Sequence, residues 1–368
     1  MYAVSLTPTA MGHGEIMMRT RQTNYVAIDV HSGFCEGGWV DQSGKERGAF
    51  KTPTNVPALI EALEKVPRPR KVVIEEGPLS DWLCRNLRES VDEMVSCDSY
   101  RNALIAKEGD KSDPIDWRKL AQLYRGGYIK VVHHPQELSR SLFKQHVQLY
   151  HDRVRHRVSE GLKIIWRMRR LGVFIREKDL SDEKRREAMI AKVPADDVAR
   201  EDVTVMLSGY DRAAEQVTIL RRRLTQLARA EPMVNRLCDL PGVGPIRAAT
   251  FFVFVDTPFR FKSKQKLWKY MGIGLEKRQS GNGKVLLRVP RRCSRVLKSV
   301  IIGAAKSAAA SGENPFADQH QRWLDDGCSP RIARRNLARS LATVMWGMCK
   351  SGSEYDPKKV NQDMERLS

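Results

Sequence analysis

Glu108-Gly109-Asp110-Lys111-Ser112-Asp113-Pro114-Ile115-Asp116-Trp117-Arg118-Lys119-Leu120-Ala121 is the stretch on which the fold turns: acids cluster in it, and an amphipathic run then begins. Pro114 suits the first turn of a helix, where its missing N–H would lack a partner anyway, so Asp113 is expected to cap a helix. Asp116 follows three residues later, which brings both carboxylates to one side of that first turn. Such a pair suits a hard divalent cation. It also suits a plain cap with a capping-box-like acid at the positive end of the helix dipole. The choice depends on what lies upstream.

At 368 residues the chain exceeds one core and implies two or three domains. A net charge of +20, from 64 Lys and Arg against 44 Asp and Glu, points to a polyanionic partner. Nucleic acid is favoured over a membrane surface, since no basic amphipathic anchor or lipidation signal is seen. No apolar run approaches the roughly 20 residues needed to span a bilayer. Residues 1–24 lack an apolar signal segment and are expected to form a loose tail, with a cytoplasmic location. The 7 cysteines are scattered, odd in number and free of any CxxC pair, which argues against a disulfide framework or zinc site.

Residues 25–134 read as one α/β domain. Tyr25 to Val30 and Phe34 to Val40 form a hairpin that leads to the turn Asp41-Gln42-Ser43-Gly44, with Asp29 inside the first strand. Phe50 to Val66 reads as a strand and then a helix. Lys71-Val72-Val73-Ile74-Glu75 is an apolar strand ending in a carboxylate, Trp82 to Leu87 a helix, and Met94 to Cys97 a strand that leads into the acidic cluster. Acids buried among apolar strand residues are costly unless paired or metal-bound. Two strand ends and one helix start carrying acids in this order are the layout of a ribonuclease-H-like (RuvC-like) domain, in which Asp29, Glu75, Asp113 and Asp116 would hold Mg2+ or Mn2+ for phosphoryl transfer.

Residues 135–230 read as a helical arm. Leu138, Leu142, Leu149, Val154, Val158, Leu162 and Ile165 recur at near-helical spacing among basic residues, and the spacing returns at Val203, Leu207, Tyr210, Val217, Leu220, Leu224 and Leu227. With the polar stretch Arg176 to Glu187 between them, the two runs read as an antiparallel coiled coil, or as an ordinary bundle.

Residues 231–349 form a mainly helical domain. Leu240-Pro241-Gly242-Val243-Gly244-Pro245-Ile246-Arg247 looks like a helix-hairpin-helix, in which Gly242 and Gly244 admit a phosphate to backbone amides and Arg247 adds charge. Lys264 and Lys266 flank Trp268 and Tyr270, two aromatics equally suited to nucleic-acid contact or to a core. The glycine-rich stretch Glu276 to Lys284 reads as a mobile loop holding Ser280, followed by Arg288, Arg291 and Arg292. The small-residue run Val300 to Ala310 reads as a close-packing helix, Ile332 to Met348 as a last basic helix, and residues 350–368 as a polar tail.

Asp29, Glu75-Glu76-Gly77-Pro78 and Lys111-Ser112-Asp113-Pro114-Ile115-Asp116, together with Ser280 between the glycine turn and the small-residue helix, resemble the pattern of the insertion-sequence family one-hundred-ten transposases. Two positions depart from it: Trp117 and Glu76 stand where alanine is usual. Glu76 thus competes with Glu75 as the ligand, and Glu75 is chosen because the apolar strand runs directly into it. The resemblance implies a bacterial, nucleoid-associated DNA transposase or site-specific recombinase. In it a four-acid magnesium site assists Ser280, from another subunit, to form a serine–DNA intermediate. It further implies a homo-oligomer on DNA, a coiled-coil arm and a structured bridge RNA as guide. The alternatives are a metal-dependent, structure-selective nuclease that uses the four acids alone, and a non-catalytic nucleic-acid-binding scaffold.

Overall fold

The computed structural model describes residues 22–99, 113–279, 286–358 and 360, and the chain divides into two compact units after Leu138. Among the described residues no helix is long and apolar enough to cross a membrane.

The first unit is built on β1 (Asn24–Val30), β2 (Phe34–Val40), β3 (Glu46–Pro53), β4 (Arg70–Glu75), β5 (Glu93–Cys97) and the two-residue β6 (Val131–Val132). They form one mixed sheet in the order β3-β2-β1-β4-β5-β6. Pairing is antiparallel from β3 to β1, parallel from β1 through β4 to β5, and antiparallel again at β6. The β2–β3 turn is closed by Asp41, whose carboxylate accepts from the Ser43 hydroxyl (2.6 Å), the Ser43 and Lys45 amides and Arg47 Nε. The Ser43 hydroxyl first, then Arg47 and the two amides, hold that carboxyl well below the usual range.

Strand alternation divides the core in two. Val26, Ile28, Val72 and Ile74 face α1 (Val56–Glu64) and α2 (Ser80–Asn86), while Ala27, Val40, Val73 and Cys97 face Trp117, Leu120, Ala121 and Tyr124 of α3 (Asp113–Arg125). Buried Arg70 joins the first layer together: its guanidinium donates to the Leu63 and Val66 carbonyls at the end of α1 and to Ser90 O. The Leu63 carbonyl also accepts from the Val66 amide at 2.9 Å, so the guanidinium adds a further donor at the end of α1.

In the second unit α4 (Leu138–Arg170) and α7 (Asp197–Ala230) run antiparallel: His146 Nε2 meets Leu220 O at 3.2 Å near one end, and Arg167 pairs with Asp202 near the other. Between them the polar stretch forms two short helices, α5 (Glu177–Leu180) and α6 (Glu183–Ile190), whose Leu180 and Met189 close a core with Ile164, Met168, Val203, Leu207 and Tyr210. Only part of the apolar face expected of α4 is the one that packs. Ile165 is buried and Val154 half-buried, but Leu138, Leu142, Leu149, Val158 and Leu162 are exposed, whereas Val147, Gly161, Ile164 and Met168 are buried. The long helix carries more than one apolar stripe, and α7 selects the stripe containing Gly161, which lets the Tyr210 ring come close: a Cβ there would stand 3.3 Å from it.

The remaining helices are α8 (Pro232–Cys238), α9 (Pro245–Val255), α10 (Lys264–Tyr270), α11 (Arg295–Ala310), α12 (Pro315–Asp325) and α13 (Pro330–Ser351). Every residue of α9 from Ala248 to Val255 is buried, so the helix is apolar all round and central. Burial of a side chain such as Phe251 contributes roughly 1.5–3 kcal/mol. Residues after Gly352 are not simply a polar tail: Tyr355 stacks on Phe316 and Val360 is buried, because both present apolar surface to the bundle.

Candidate active site

Asp29 lies one residue from the end of β1. The register Ile28↔Ile74 makes Glu75 its neighbour on the parallel strand, about 4.8 Å away across the sheet. Alternation from Ala27 and Val73 sends both carboxylates to the face covered by α3. Trp117 sits on Gly38, the partner of Ala27, while Tyr124 further along α3 meets the Tyr25 ring at 5.7 Å. The helix therefore runs opposite to β1, and the backbone of its first turn, which carries Asp113 and Asp116, approaches the sheet end that bears Asp29 and Glu75. The side chains of Asp113 and Asp116 lie outside the described residues.

Sequence reading missed the neighbours of Asp29. His31 Nε2 is 3.1 Å from Asp29 Oδ2, with its ring against Phe34. Glu36 is the cross-strand partner of Asp29 and accepts from Lys51 Nζ at 2.5 Å; Lys51 also lies over the Phe34 ring. Counting the hairpin register would have found Glu36, but that register depends on the loop bond from the His31 amide to the Phe34 carbonyl. Glu76 is turned the other way. Its Oε2 accepts from Ser96 Oγ at 2.7 Å and lies 2.8 Å from His134 Nε2.

Among the described residues no group of three or more His, Cys, Asp and Glu side chains is placed to hold a metal. Asp29 and Glu75 supply hard oxygen donors side by side, and this donor chemistry fits magnesium or manganese. Asp113 and Asp116, the other two acids expected at the site, have side chains outside the described residues.

In the second unit the turn between α8 and α9 holds Gly242 at φ 74°. A Cβ there would stand 2.4 Å from Ala304 O and 2.5 Å from Ala308 N, so Gly242 is where the turn packs onto the backbone of α11. Arg247 Nη1 donates to Gly242 O (2.6 Å) and to Ser307 Oγ (2.8 Å), and burial pulls the guanidinium pKa down. Both residues are thus engaged in joining α9 to α11. Gly244 is different: it is the N-cap of α9, has no side-chain cap, and has nothing within 4 Å of where a Cβ would sit. Of the three it alone leaves room for a ligand at the helix start.

Lys266 is exposed and Lys264 half-buried beside Trp268. The two aromatics of α10 belong to the core, not to a free surface: Trp268 Nε1 donates to Thr343 Oγ1 and the Tyr270 hydroxyl to Phe254 O. Glu276–Arg278, expected to be part of a loop, is instead a strand, β7, paired antiparallel with β8 (Leu286–Arg288) through Glu276↔Arg288 and Arg278↔Leu286. Ser280 and Lys284 fall in the sequence joining them and lie outside the described residues. Arg288, Arg291 and Arg292 are exposed.

Residues 234–321, from α8 into α12, match the model of the Transposase IS116/IS110/IS902 family. The chain is 29% identical over 177 residues to a putative transposase, y4pF/y4sB, of Sinorhizobium fredii, covering 46% of each protein. It is 24% identical over 144 residues to the transposase for insertion sequence element IS1111A of Coxiella burnetii, covering 38% of this chain and 39% of that one. An insertion element IS116 protein of Streptomyces clavuligerus is 25% identical over 204 residues, 52% of this chain and 51% of its own length. These matches span about half or less of the relatives' lengths. The matched segment contains the glycine turn, the β7–β8 ribbon and the α9–α11 packing just described, and over that segment the chain is similar to the IS116/IS110/IS902 transposase family.

Proposed function

We propose that the protein is a DNA transposase of an insertion element that cuts and rejoins DNA through a serine–DNA intermediate. The observation that carries this reading is the placement of Asp29 and Glu75 just past the Ile28↔Ile74 pair of two adjacent parallel strands, on the face covered by the helix that begins Asp113-Pro114-Ile115-Asp116. The strand order supports a ribonuclease-H-like assignment for the first unit, and the α8–α9 turn supports a helix-hairpin-helix in the second.

In this reading Asp29, Glu75, Asp113 and Asp116 hold magnesium. When bound, the cation supplies charge stabilisation at the phosphoryl oxygens. Ser280 is the nucleophile: its Oγ forms the new bond to phosphorus, its proton passes to a base, and the displaced sugar oxygen leaves and takes up a proton. Arg288, Arg291 and Arg292 offset negative charge on the phosphate. Because the phosphoserine keeps the energy of the broken bond, rejoining needs no external energy source. DNA is the substrate, a structured RNA of the element is the guide, and the protein acts as a homo-oligomer.

The test is a denaturing gel of the protein with labelled element-end DNA, its flanking transcript and magnesium. A covalent adduct that is lost in Ser280→Ala, while DNA binding persists, is the expected result. Undiminished cleavage by Ser280→Ala would replace this reading with a metal-dependent nuclease.

A further inference from the structure

β4 ends at Glu75 and a second glutamate, Glu76, follows it; the Glu76 amide still bonds to β5, and successive residues there face opposite sides of the sheet. Glu75 goes to the α3 side with Asp29. Glu76 is tethered on the other side, across β5 to the chain beyond β6. Its amide donates to Cys97 O (2.9 Å), and its Oε2 accepts from Ser96 Oγ (2.7 Å) and lies 2.8 Å from His134 Nε2. The second ring nitrogen of His134 lies 3.6 Å from Asp81 Oδ1 on α2, and Asp81 Oδ2 pairs with Arg85 at 2.5 Å. Ser80 closes the same turn: its hydroxyl accepts from the Gly77 amide (2.7 Å) and donates to Glu75 O (3.0 Å). Ser96 is buried and the His134 side chain is only 12% exposed, while the Glu76 side chain they hold is 40% exposed.

A strand end is where pairing is weakest, and a shift of one residue there exchanges the two faces. Glu75 and Glu76 are chemically identical, so only backbone orientation decides which of them meets a cation held by Asp29. Resting on the metal-site reading above, we propose that His134 is a positioning residue: by holding Glu76 against Ser96 on one face of the sheet, it aims Glu75 into the metal site on the other. His134 itself touches neither metal nor DNA. Its influence passes through the Glu76 backbone.

Titration of the full-length protein with Mn2+, followed by the loss of the free-ion electron paramagnetic resonance signal, tests this. His134→Ala and Glu76→Ala are expected to weaken Mn2+ binding about tenfold, the scale on which groups that orient a ligand act. His134→Gln, which can still donate a hydrogen bond to Glu76, should recover most of the affinity. Unchanged affinity in His134→Ala, with affinity lost in Glu75→Ala, overturns the positioning role and leaves the metal site standing. Affinity retained in both Asp29→Ala and Glu75→Ala overturns the metal-site reading itself. Circular dichroism verifies folding, and if His134→Ala does not fold, Glu76→Ala removes the same contact from its other end.

Discussion

Gly38 of β2 lies directly beneath the ring of Trp117 on α3: a Cβ at Gly38 would stand 2.4 Å from Trp117 Cη2. This contact seats the helix on the sheet one turn after Asp113 and so sets how its first turn meets the ends of β1 and β4. Gly38→Ala should destabilise the first unit by about 1–3 kcal/mol through overpacking. Trp117→Ala, which empties a site only 3% exposed, should cost about 3–5 kcal/mol. Calorimetric unfolding of the two variants checks both, and a Gly38→Ala protein as stable as wild type would show that α3 can shift without penalty.

Two glycines of one turn should behave in opposite ways. Gly242→Ala meets backbone atoms of α11 and a positive φ, for an expected loss of about 2–5 kcal/mol. Gly244→Ala meets open space and should cost no more than about 1 kcal/mol, the difference between these residues at an N-cap. If phosphate approaches the start of α9, Gly244→Ala should nevertheless weaken DNA binding. Thermal melts paired with binding isotherms separate the two effects.

The excess of basic residues should make nucleic-acid affinity fall steeply between about 50 and 200 mM salt. Exposed Arg291 and internally bonded Arg247 provide the contrast. Arg291→Ala should lower the slope of log affinity against log salt by about 1 without moving the melting temperature. Arg247→Ala should lower the melting temperature, because the Gly242 carbonyl and Ser307 hydroxyl lose their shared donor.

His151 predicts a pH dependence. Its Nε2 faces the Thr250 hydroxyl at 2.9 Å, and that hydroxyl donates to Ile246 O, so the ring nitrogen is the donor to Thr250. Burial first, and Arg155 second, push the His151 pKa down to about 4. Unfolding releases the ring to its ordinary value near 6.5, so the unfolded chain binds more protons between the two values. The stabilisation is complete above about pH 6.5 and is lost progressively as pH falls toward 4. Melting temperatures of wild type and His151→Gln over this range should converge toward the acid end. Parallel curves would remove His151 from the account.

What was legible in the sequence came from short-range pattern. Runs of β-branched, aromatic and apolar residues mark β1, β2, β4 and β5, with Asp29 inside the first and Glu75 ending the run Lys71–Glu75, because apolar character and its loss are local properties. Helical spacing marked both long helices of the second unit for the same reason. Which side of a helix is covered was not local: α4 offers apolar residues around much of its surface, and only α7, with Tyr210 against Gly161, decides that Leu142 and Leu162 stay exposed. The same holds for the site. Glu75 and Glu76 are equivalent in sequence, and a histidine 58 residues further on holds one of them away. Gly242 and Gly244 also look alike in sequence. The first is closed by the backbone of a helix some 60 residues later, whereas the second is left open; tertiary contact decides this because the space around a residue is set by distant chain segments, which a local pattern does not record.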